Sequence, residues 1–142
     1  MDSIGQGTFG QVVKCYHSRS EQEVAVKVVK NKLAYTKQGL LEIEILKILN
    51  AQDKEDKANI VKMFDCFTFK NHVCLVFELL GLNLFQVIEK NNYHGLSVNL
   101  IRAITIQMMD ALVFTKNVHI IHCTQSFFLL FSRHEILTFL HR

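Results

Sequence analysis

Three glycines near the start of the sequence have the spacing of a loop that binds phosphate. Gly5, Gly7 and Gly10 lie in IGQGTFGQV (4–12), which reads G-x-G-x-x-G-x-V. Because glycine has no Cβ, the backbone N–H groups of such a loop can approach phosphate oxygens closely. The motif alone is weak, since a glycine-rich hairpin turn has the same pattern.

A dinucleotide-binding βαβ unit is the main competing interpretation of these glycines. It requires a helix directly after them and an acidic residue about 20 residues further on. Here the glycines are followed by Val12, Val13 and Cys15 in a pattern typical of a strand, and the next distinctive position is a lysine. The sequence therefore argues against a dinucleotide-binding unit.

Lys27 and Glu42 are the charged residues that could complete a phosphate site. Lys27 lies in VAVK, on a predicted strand, and shares a face with Ala25 and Val29. A lysine that only reaches water from an edge strand is the alternative. Glu42 lies on the apolar surface of a predicted helix, where an unpaired carboxylate is costly. We predict an ion pair of Lys27 with Glu42 that directs the ammonium group at phosphate oxygens.

The elements that would position these residues follow an α+β order, with hairpins first and helices last. Periodicity and turn residues predict strands within 2–29 (11–17 and 23–29), a helix over 36–50, strands over 60–69 and 72–80, a short helix over 83–91 and a long helix over 98–117.

Caps and apolar stripes complete this secondary-structure prediction. Thr36, Asn83 and Ser97 are candidate N-caps, and Asn50 could end the first helix. The predicted buried stripes are Leu41, Ile45, Ile48 and Leu49 on the first helix, and Ile101, Ile104, Met108 and Leu112 on the long helix.

The composition is that of one globular domain, with 49% hydrophobic and 20% charged residues. The net charge of +3 is spread along the chain without a basic stripe, so we expect no nucleic-acid partner.

The four cysteines form no C-x-x-C pair and no metal-ligand spacing, which indicates a reducing, intracellular setting. No apolar run approaches the about 18 residues of a membrane span, so we expect no membrane partner.

These motifs together resemble the protein kinase family. Several longer segments resemble the dual-specificity tyrosine-regulated kinases, and most of all their Yak-type branch. These segments are GQGTFGQVVKC, KNHVCLVFELL, NLF, HGLSVNLIR and IIHC. The resemblance runs from about Asp2 to Cys123. It implies a kinase small lobe, made of an antiparallel sheet and a helix C, followed by the first helices of an incomplete C-terminal lobe.

The resemblance implies ATP and Mg²⁺ as cofactors. Lys27 would contact the α- and β-phosphates, and Glu42 would hold Lys27. The implied nucleotide-binding residues are Ile4, Gly5, Gln6, Gly7, Thr8, Phe9, Gly10, Gln11, Val12, Ala25, Lys27, Phe77, Glu78, Leu80 and Asn83. Among them, the implied roles are the adenine pocket for Ile4, Val12 and Ala25, the gatekeeper for Phe77, backbone hydrogen bonds to adenine for Glu78 and Leu80, and the ribose for Asn83.

The stretch IHC (121–123) resembles the start of the kinase catalytic loop, where an aspartate acting as the catalytic base should come next. That position holds Thr124, and the family's lysine, asparagine, D-F-G aspartate, activation loop and A-P-E segment are missing from TQSFFLLFSRHEILTFLHR. We therefore expect no metal ligands and no activity, with an altered splice, a frameshift or a gene-prediction error as the cause. His122 and Cys123 are then remnants of the loop, because adjacent residues cannot easily form a nucleophile–base pair.

These observations predict three regions: a kinase N-terminal lobe with ATP loop and hinge over 1–80, partial C-terminal-lobe helices over 81–123, and an unrelated hydrophobic tail over 124–142. The favoured function is the ATP-binding part of a serine/threonine or dual-specificity kinase acting on proteins. The alternatives are an inactive protein-binding or decoy module and a non-kinase nucleotide binder. We also expect chaperone binding or self-association through the exposed long helix and tail, and a cytoplasmic or nuclear location.

Overall fold

The computed structural model describes residues 2–18 and 20–120, which form an antiparallel sheet and helices, as the predicted α+β class requires. The elements are β1 (Asp2–Gln6), β2 (Gly10–His17), β3 (Gln22–Val29), α1 (Leu33–Gln52), β4 (Met63–Phe69), β5 (His72–Glu78), α2 (Leu84–Lys90) and α3 (Val98–Asn117).

The sheet has five strands in the order β1-β2-β3-β5-β4, and every neighbouring pair is antiparallel. Valine-rich β3 and β5 lie inside the sheet, where β-branched side chains pack well. The β4–β5 hairpin turns at Lys70 and Asn71, whose φ angles of 46° and 64° suit the tight two-residue turn that follows the twist of the strands.

Helix α1 packs on the sheet face that carries Val29 and Val73. The helix lies close to the sheet at Gly39, where an added Cβ would lie 3.2 Å from a methyl carbon of Val29. The buried residues of α1 are Gly39, Ile43, Leu46 and Leu49.

The predicted stripe of α1 is confirmed at Leu49 and wrong at Leu41 and Ile48, which are 56% and 51% exposed, while Ile45 is half-buried. The predicted ends are also wrong. The helix begins before Thr36, and Asn50 lies inside it, where its side-chain oxygen accepts from the Met63 N–H at 3.0 Å.

The opposite sheet face carries its own apolar cluster. Val24, Val26, Cys74 and Val76 are buried there, with Val13, Cys15 and Val28 packed against them. Side chains alternate between the two faces of a strand, so β3 contributes residues to both. Both sides of the central strands are thus apolar.

The described chain forms two compact units. The first contains the residues up to Gln52 together with Lys62–Leu79, and the second contains Asp53–Val61 and the residues from Leu80 onward. The first unit holds the sheet and α1. The second holds α2, α3 and the loop over 53–61, in which the Asp53 carboxylate accepts from the N–H groups of Lys57 and Ala58 at 2.9 and 3.0 Å.

The two N-caps predicted in the second unit are confirmed. Asn83 and Gln86 form a reciprocal capping box at the start of α2, and the Ser97 hydroxyl accepts from the Leu100 N–H at the start of α3. The buried stripe of α3 is Leu100, Ile104, Ala111 and Thr115. The prediction was right for Ile104 and wrong for Ile101 and Leu112, which are 50% and 41% exposed.

Helix α3 is also long and apolar enough to cross a bilayer, judged only by its 20 residues and by an 18-residue window of mean hydropathy 1.3. The expectation that no apolar segment reaches this length was therefore wrong. One such helix is weak evidence for a membrane span, because a core helix of a soluble protein meets the same criteria.

Candidate functional site

An ion pair between β3 and α1 lies at the centre of the candidate site. The Lys27 Nζ donates to both carboxylate oxygens of Glu42, at 2.6 and 2.7 Å, as predicted. The two side chains are 27% and 28% exposed, so the pair is partly shielded from water. An ammonium group has three N–H donors, and Glu42 engages two, which leaves one for a further acceptor.

The sheet register places apolar residues around this ion pair. Val12 is the cross-strand partner of Lys27, and Ala25 is the partner of Phe77. Residues two apart on a strand share a face, so these four residues lie on one side of the sheet. Ala25 and Phe77 are buried and Val12 is half-buried. The structure thus brings an aliphatic and aromatic surface next to the ammonium group.

The three glycines of the loop have different local surroundings. An added Cβ at Gly10 would overlap the carbonyl oxygen of Val28, so Gly10 allows β2 to start close to β3. An added Cβ at Gly7 would meet nothing within 4 Å, which leaves the loop tip open to a ligand. No glycine in the described ranges has a positive φ. Space within the fold therefore explains Gly10, whereas the structure has room for a side chain at Gly5 and Gly7.

The rest of the loop is exposed, apart from half-buried Val12 and buried Gly10. The tip is closed by a hydrogen bond from the Gly7 N–H to the Gly10 carbonyl oxygen at 2.9 Å. The exposed predicted residues are Ile4, Gly5, Gln6, Gly7, Thr8, Phe9 and Gln11.

Glu78 and Leu80 lie at and after the end of β5. The Glu78 N–H donates to the Lys62 carbonyl oxygen at 3.1 Å, and a Glu78 carboxylate oxygen accepts from the Lys62 N–H at 2.8 Å. Any backbone contact of Glu78 with a ligand must therefore use its carbonyl oxygen. Leu80 and Asn83 belong to the second unit, and the Asn83 side chain caps α2. Their contacts to adenine and ribose remain predictions.

Two further residues contact the loop and were missed by the sequence reasoning. The Lys30 Nζ donates to the carbonyl oxygens of Gly7 and Thr8, and the Phe9 ring packs edge-on against Tyr35. One of these residues lies just after β3 and the other in the first turn of α1, within KNKLAY (30–35), which has no periodicity that would have indicated a role. Its lysines were the only available signal.

The described residues contain no group of three or more His, Cys, Asp or Glu side chains that could hold a metal ion. His122, Cys123 and Thr124, the remnants of the predicted catalytic loop, lie outside the described residues.

The family profile for the protein kinase domain matches residues 1–124. The chain therefore belongs to the protein kinase family. The glycine-rich hairpin, the Lys27–Glu42 pair and the sheet followed by helices agree with the N-terminal lobe of such a kinase.

Curated relatives support the Yak-type branch that the sequence resembles. The chain is 55% identical to the probable serine/threonine-protein kinase yakA of Dictyostelium discoideum over 124 residues. It is 47% identical to the dual specificity protein kinase YAK1 of Saccharomyces cerevisiae over 124 residues. It is 40% identical to the human dual specificity tyrosine-phosphorylation-regulated kinase 4 over 123 residues.

Each of these matches covers 87% of this chain and only 8%, 15% and 24% of the respective relative. The chain is thus similar to a kinase-domain fragment of each relative.

Proposed function

We propose that this chain is the ATP-binding part of a serine/threonine protein kinase of the dual-specificity type. The observation that carries the proposal is the Lys27 ammonium group, which both oxygens of Glu42 hold on the sheet face of Val12, Ala25 and Phe77. A fixed ammonium group binds a polyphosphate as a point charge. The adjacent apolar surface suits a flat base.

The residues of the first unit fit ATP. The exposed loop tip offers backbone donors to phosphate oxygens, and the open space at Gly7 lets them approach. Ala25 is small enough to admit a ring next to Phe77. In the kinase family, bound ATP supplies the phosphoryl group that is transferred to a protein hydroxyl. The relatives' names indicate serine and threonine hydroxyls, and tyrosine hydroxyls for those called dual specificity.

The sequence after Cys123 does not fit Mg²⁺ or phosphoryl transfer. Thr124 occupies the position of the catalytic base, and a hydroxyl cannot accept a proton near neutral pH. In the family spacing D-x-x-x-x-N, the metal-binding asparagine corresponds to Leu129, which has no oxygen in its side chain. We propose that the 142-residue sequence binds nucleotide weakly and transfers no phosphate. The origin that we propose for its last 19 residues is an altered splice, a frameshift or an error in gene prediction.

Nucleotide binding is tested by titrating the full chain with a fluorescent ATP analogue. Lys27→Met should weaken binding about tenfold or more, because a charge-assisted hydrogen bond to phosphate is lost. Lys37→Met, at an exposed position of α1, is the matched control and should bind like the unmodified chain. Equal binding by Lys27→Met and the unmodified chain would contradict an ATP site at Lys27.

Phosphoryl transfer is tested with ATP labelled at the γ-phosphate and a generic protein substrate. We expect no label on the substrate. Label that appears with the unmodified chain and disappears with Lys27→Met would show an active kinase. Sequencing the transcript across the codons of Cys123 and Thr124 gives the cause. A main transcript with an aspartate codon after Cys123 that continues in frame means that the gene encodes an active kinase. A threonine codon followed by the phenylalanine-rich tail means an inactive product.

A second candidate function is an inactive protein-binding module, which the exposed apolar residues of α3 favour. Ile101, Met109 and Leu112 are 50%, 52% and 41% exposed, and such surface favours self-association or chaperone binding. Sedimentation over a range of concentrations should show association that Met109→Glu weakens. A monomer at every concentration would argue against self-association, and binding to a purified chaperone would then be the remaining test.

A further inference from the structure

Lys30, which the proposed site does not use, lies against the tip of the glycine-rich loop. Its Nζ donates to the carbonyl oxygens of Gly7 at 3.3 Å and Thr8 at 3.0 Å. Its backbone N–H donates to the Phe9 carbonyl oxygen at 2.9 Å. One residue thus ties three consecutive loop residues to the end of β3.

These contacts determine where the backbone donors of the tip point. In a trans peptide the C=O and N–H bonds point in opposite directions. The carbonyl oxygens of Gly7 and Thr8 face the ammonium group, so the N–H groups of Thr8 and Phe9 point away from it. The Gly7 N–H is already engaged by Gly10. The N–H groups of Thr8 and Phe9 are therefore the tip donors that Lys30 orients and leaves accessible.

A second contact joins the loop tip to helix α1. The rings of Phe9 and Tyr35 lie 5.4 Å apart at 87°, an edge-to-face arrangement that stabilises aromatic pairs. The Lys32 ammonium lies 5.8 Å from the centre of the Tyr35 ring. Tyr35 lies near the start of α1, the helix that also carries Glu42. The loop tip therefore contacts the helix that positions Lys27.

We propose that Lys30 is a positioning residue, and that Lys30 together with the Phe9–Tyr35 contact forms a loop latch that holds the tip in its phosphate-binding conformation. The ammonium group of Lys30 binds backbone carbonyls, so it acts on the loop rather than on the nucleotide. The inference rests on the proposed ATP site and adds a residue that determines its affinity for phosphate.

The latch itself is tested without nucleotide, by amide hydrogen exchange in the full chain. Lys30→Met should raise the exchange rate of the Gly7 N–H about three- to tenfold, because the turn that protects it loses two hydrogen bonds. Lys37→Met is the matched control, since Lys37 contacts no charged or polar partner among the described residues. Unchanged exchange at Gly7 in Lys30→Met would overturn the latch, whether or not ATP binds.

The link to phosphate is tested by comparing ATP with adenosine, which has no phosphate. Lys30→Met should weaken ATP binding about three- to fivefold and leave adenosine binding unchanged, and Lys30→Arg should restore ATP binding. Equal weakening by Lys30→Met and Lys37→Met would indicate a general charge effect and overturn the positioning role. If the unmodified chain binds no ATP, the proposed function fails, and the exchange measurement still decides the latch.

The aromatic contact has its own pair of variants. Tyr35→Phe keeps the ring and should preserve both Gly7 exchange and ATP affinity. Tyr35→Ala removes the ring and should change both in the direction of Lys30→Met. If Tyr35→Ala leaves both unchanged, the Phe9–Tyr35 contact is not part of the latch and that half of the proposal is overturned.

Discussion

The first unit and helix α3 of the second unit bury their apolar residues to different degrees. In the first unit, Leu75 and Val29 are 0% and 2% exposed, and α1 covers one face of the sheet. In α3, four residues are buried, but Val98, Ile101, Ile106, Met109, Leu112 and Val113 are at least 41% exposed. The central strands of the first unit thus form a closed core, although α1 also exposes Leu41 and Ile48, whereas one whole side of α3 is exposed.

The difference explains where the candidate site lies. An ion pair that must hold an ammonium group in one place needs rigid supporting elements. Lys27 is on an interior strand, and Glu42 is on a helix packed against that strand's face. The exposed side of α3 offers no such support. Matched substitutions in the two regions, or at buried and exposed positions, should therefore differ in their effects.

The largest expected contrast is between two leucine-to-alanine changes. Leu75→Ala should lower the free energy of unfolding by about 2–5 kcal/mol, because it leaves a cavity in a closed core. Leu112→Ala, on the exposed side of α3, should lower it by less than about 1 kcal/mol. Urea unfolding followed by circular dichroism measures both. Equal losses would show that the exposed side of α3 is covered in solution.

A smaller contrast is expected between two ion pairs. A double-mutant cycle with Lys27→Met and Glu42→Gln should give a coupling free energy of about 1–2 kcal/mol, since the pair is partly buried and doubly hydrogen-bonded. The same cycle on Lys14 and Glu23, which are 2.7 Å apart but 36% and 56% exposed, should give less than about 1 kcal/mol. Similar values would mean that the packing of α1 does not strengthen the Lys27–Glu42 pair.

In the second unit, the cap of α2 should have a local effect. Asn83→Ala removes the acceptor for the Gln86 N–H, which lies 2.8 Å from the Asn83 oxygen, and should cost about 1 kcal/mol of helix stability. Asn83→Ser keeps an acceptor and is the control. Hydrogen exchange at Gln86 should rise with alanine and change little with serine. No rise with alanine would show that the cap is unimportant for α2.

The smallest effect concerns Cys74 in the second apolar face of the sheet. Burial raises the pKa of the Cys74 thiol above its ordinary value of 9.0, against a smaller opposite effect of a backbone hydrogen bond from Phe69. Because the pKa is raised in the folded state, the contribution of the protonated thiol to the free energy of unfolding is fully present below about pH 9. This contribution is lost as the pH rises above that value, because the thiol of the unfolded chain loses its proton first.

The test compares unfolding midpoints at pH 8 and above pH 9. Cys74→Ala should lower the unfolding midpoint at both pH values. The decrease of the midpoint between pH 8 and the higher pH should be smaller in Cys74→Ala than in the unmodified chain. Cys66→Ala, at a half-buried position of edge strand β4, is the control and should leave the fall unchanged. An identical fall in all three proteins would mean that Cys74 does not contribute to it.

Much of the fold could be predicted because its signals are local. The valine-rich strands, the turn at Lys70 and Asn71, and the caps at Asn83 and Ser97 depend on neighbouring residues. Glu42 also stood out locally, as a carboxylate among apolar helix residues, and its ion pair with Lys27 followed.

The buried faces of the helices could not be predicted in the same way. Helix α1 has apolar residues on several sides, so Leu41 and Ile48 looked as suitable for burial as Ile43 and Leu46. The sheet decided between them, because α1 approaches it at Gly39, where no side chain intervenes. The same ambiguity in α3 led to Ile101 and Leu112 in place of Leu100 and Ala111.

The sequence by itself determined the class of protein, the order of strands and helices, and the pairing of Lys27 with Glu42, since each depends on residue types at set spacings. Only the tertiary structure decided which face of each helix is buried, that Gly10 is needed for strand packing, and that Lys30 and Tyr35 contact the loop. These features depend on contacts between residues that are distant in sequence, and such contacts leave no signal in the local sequence pattern.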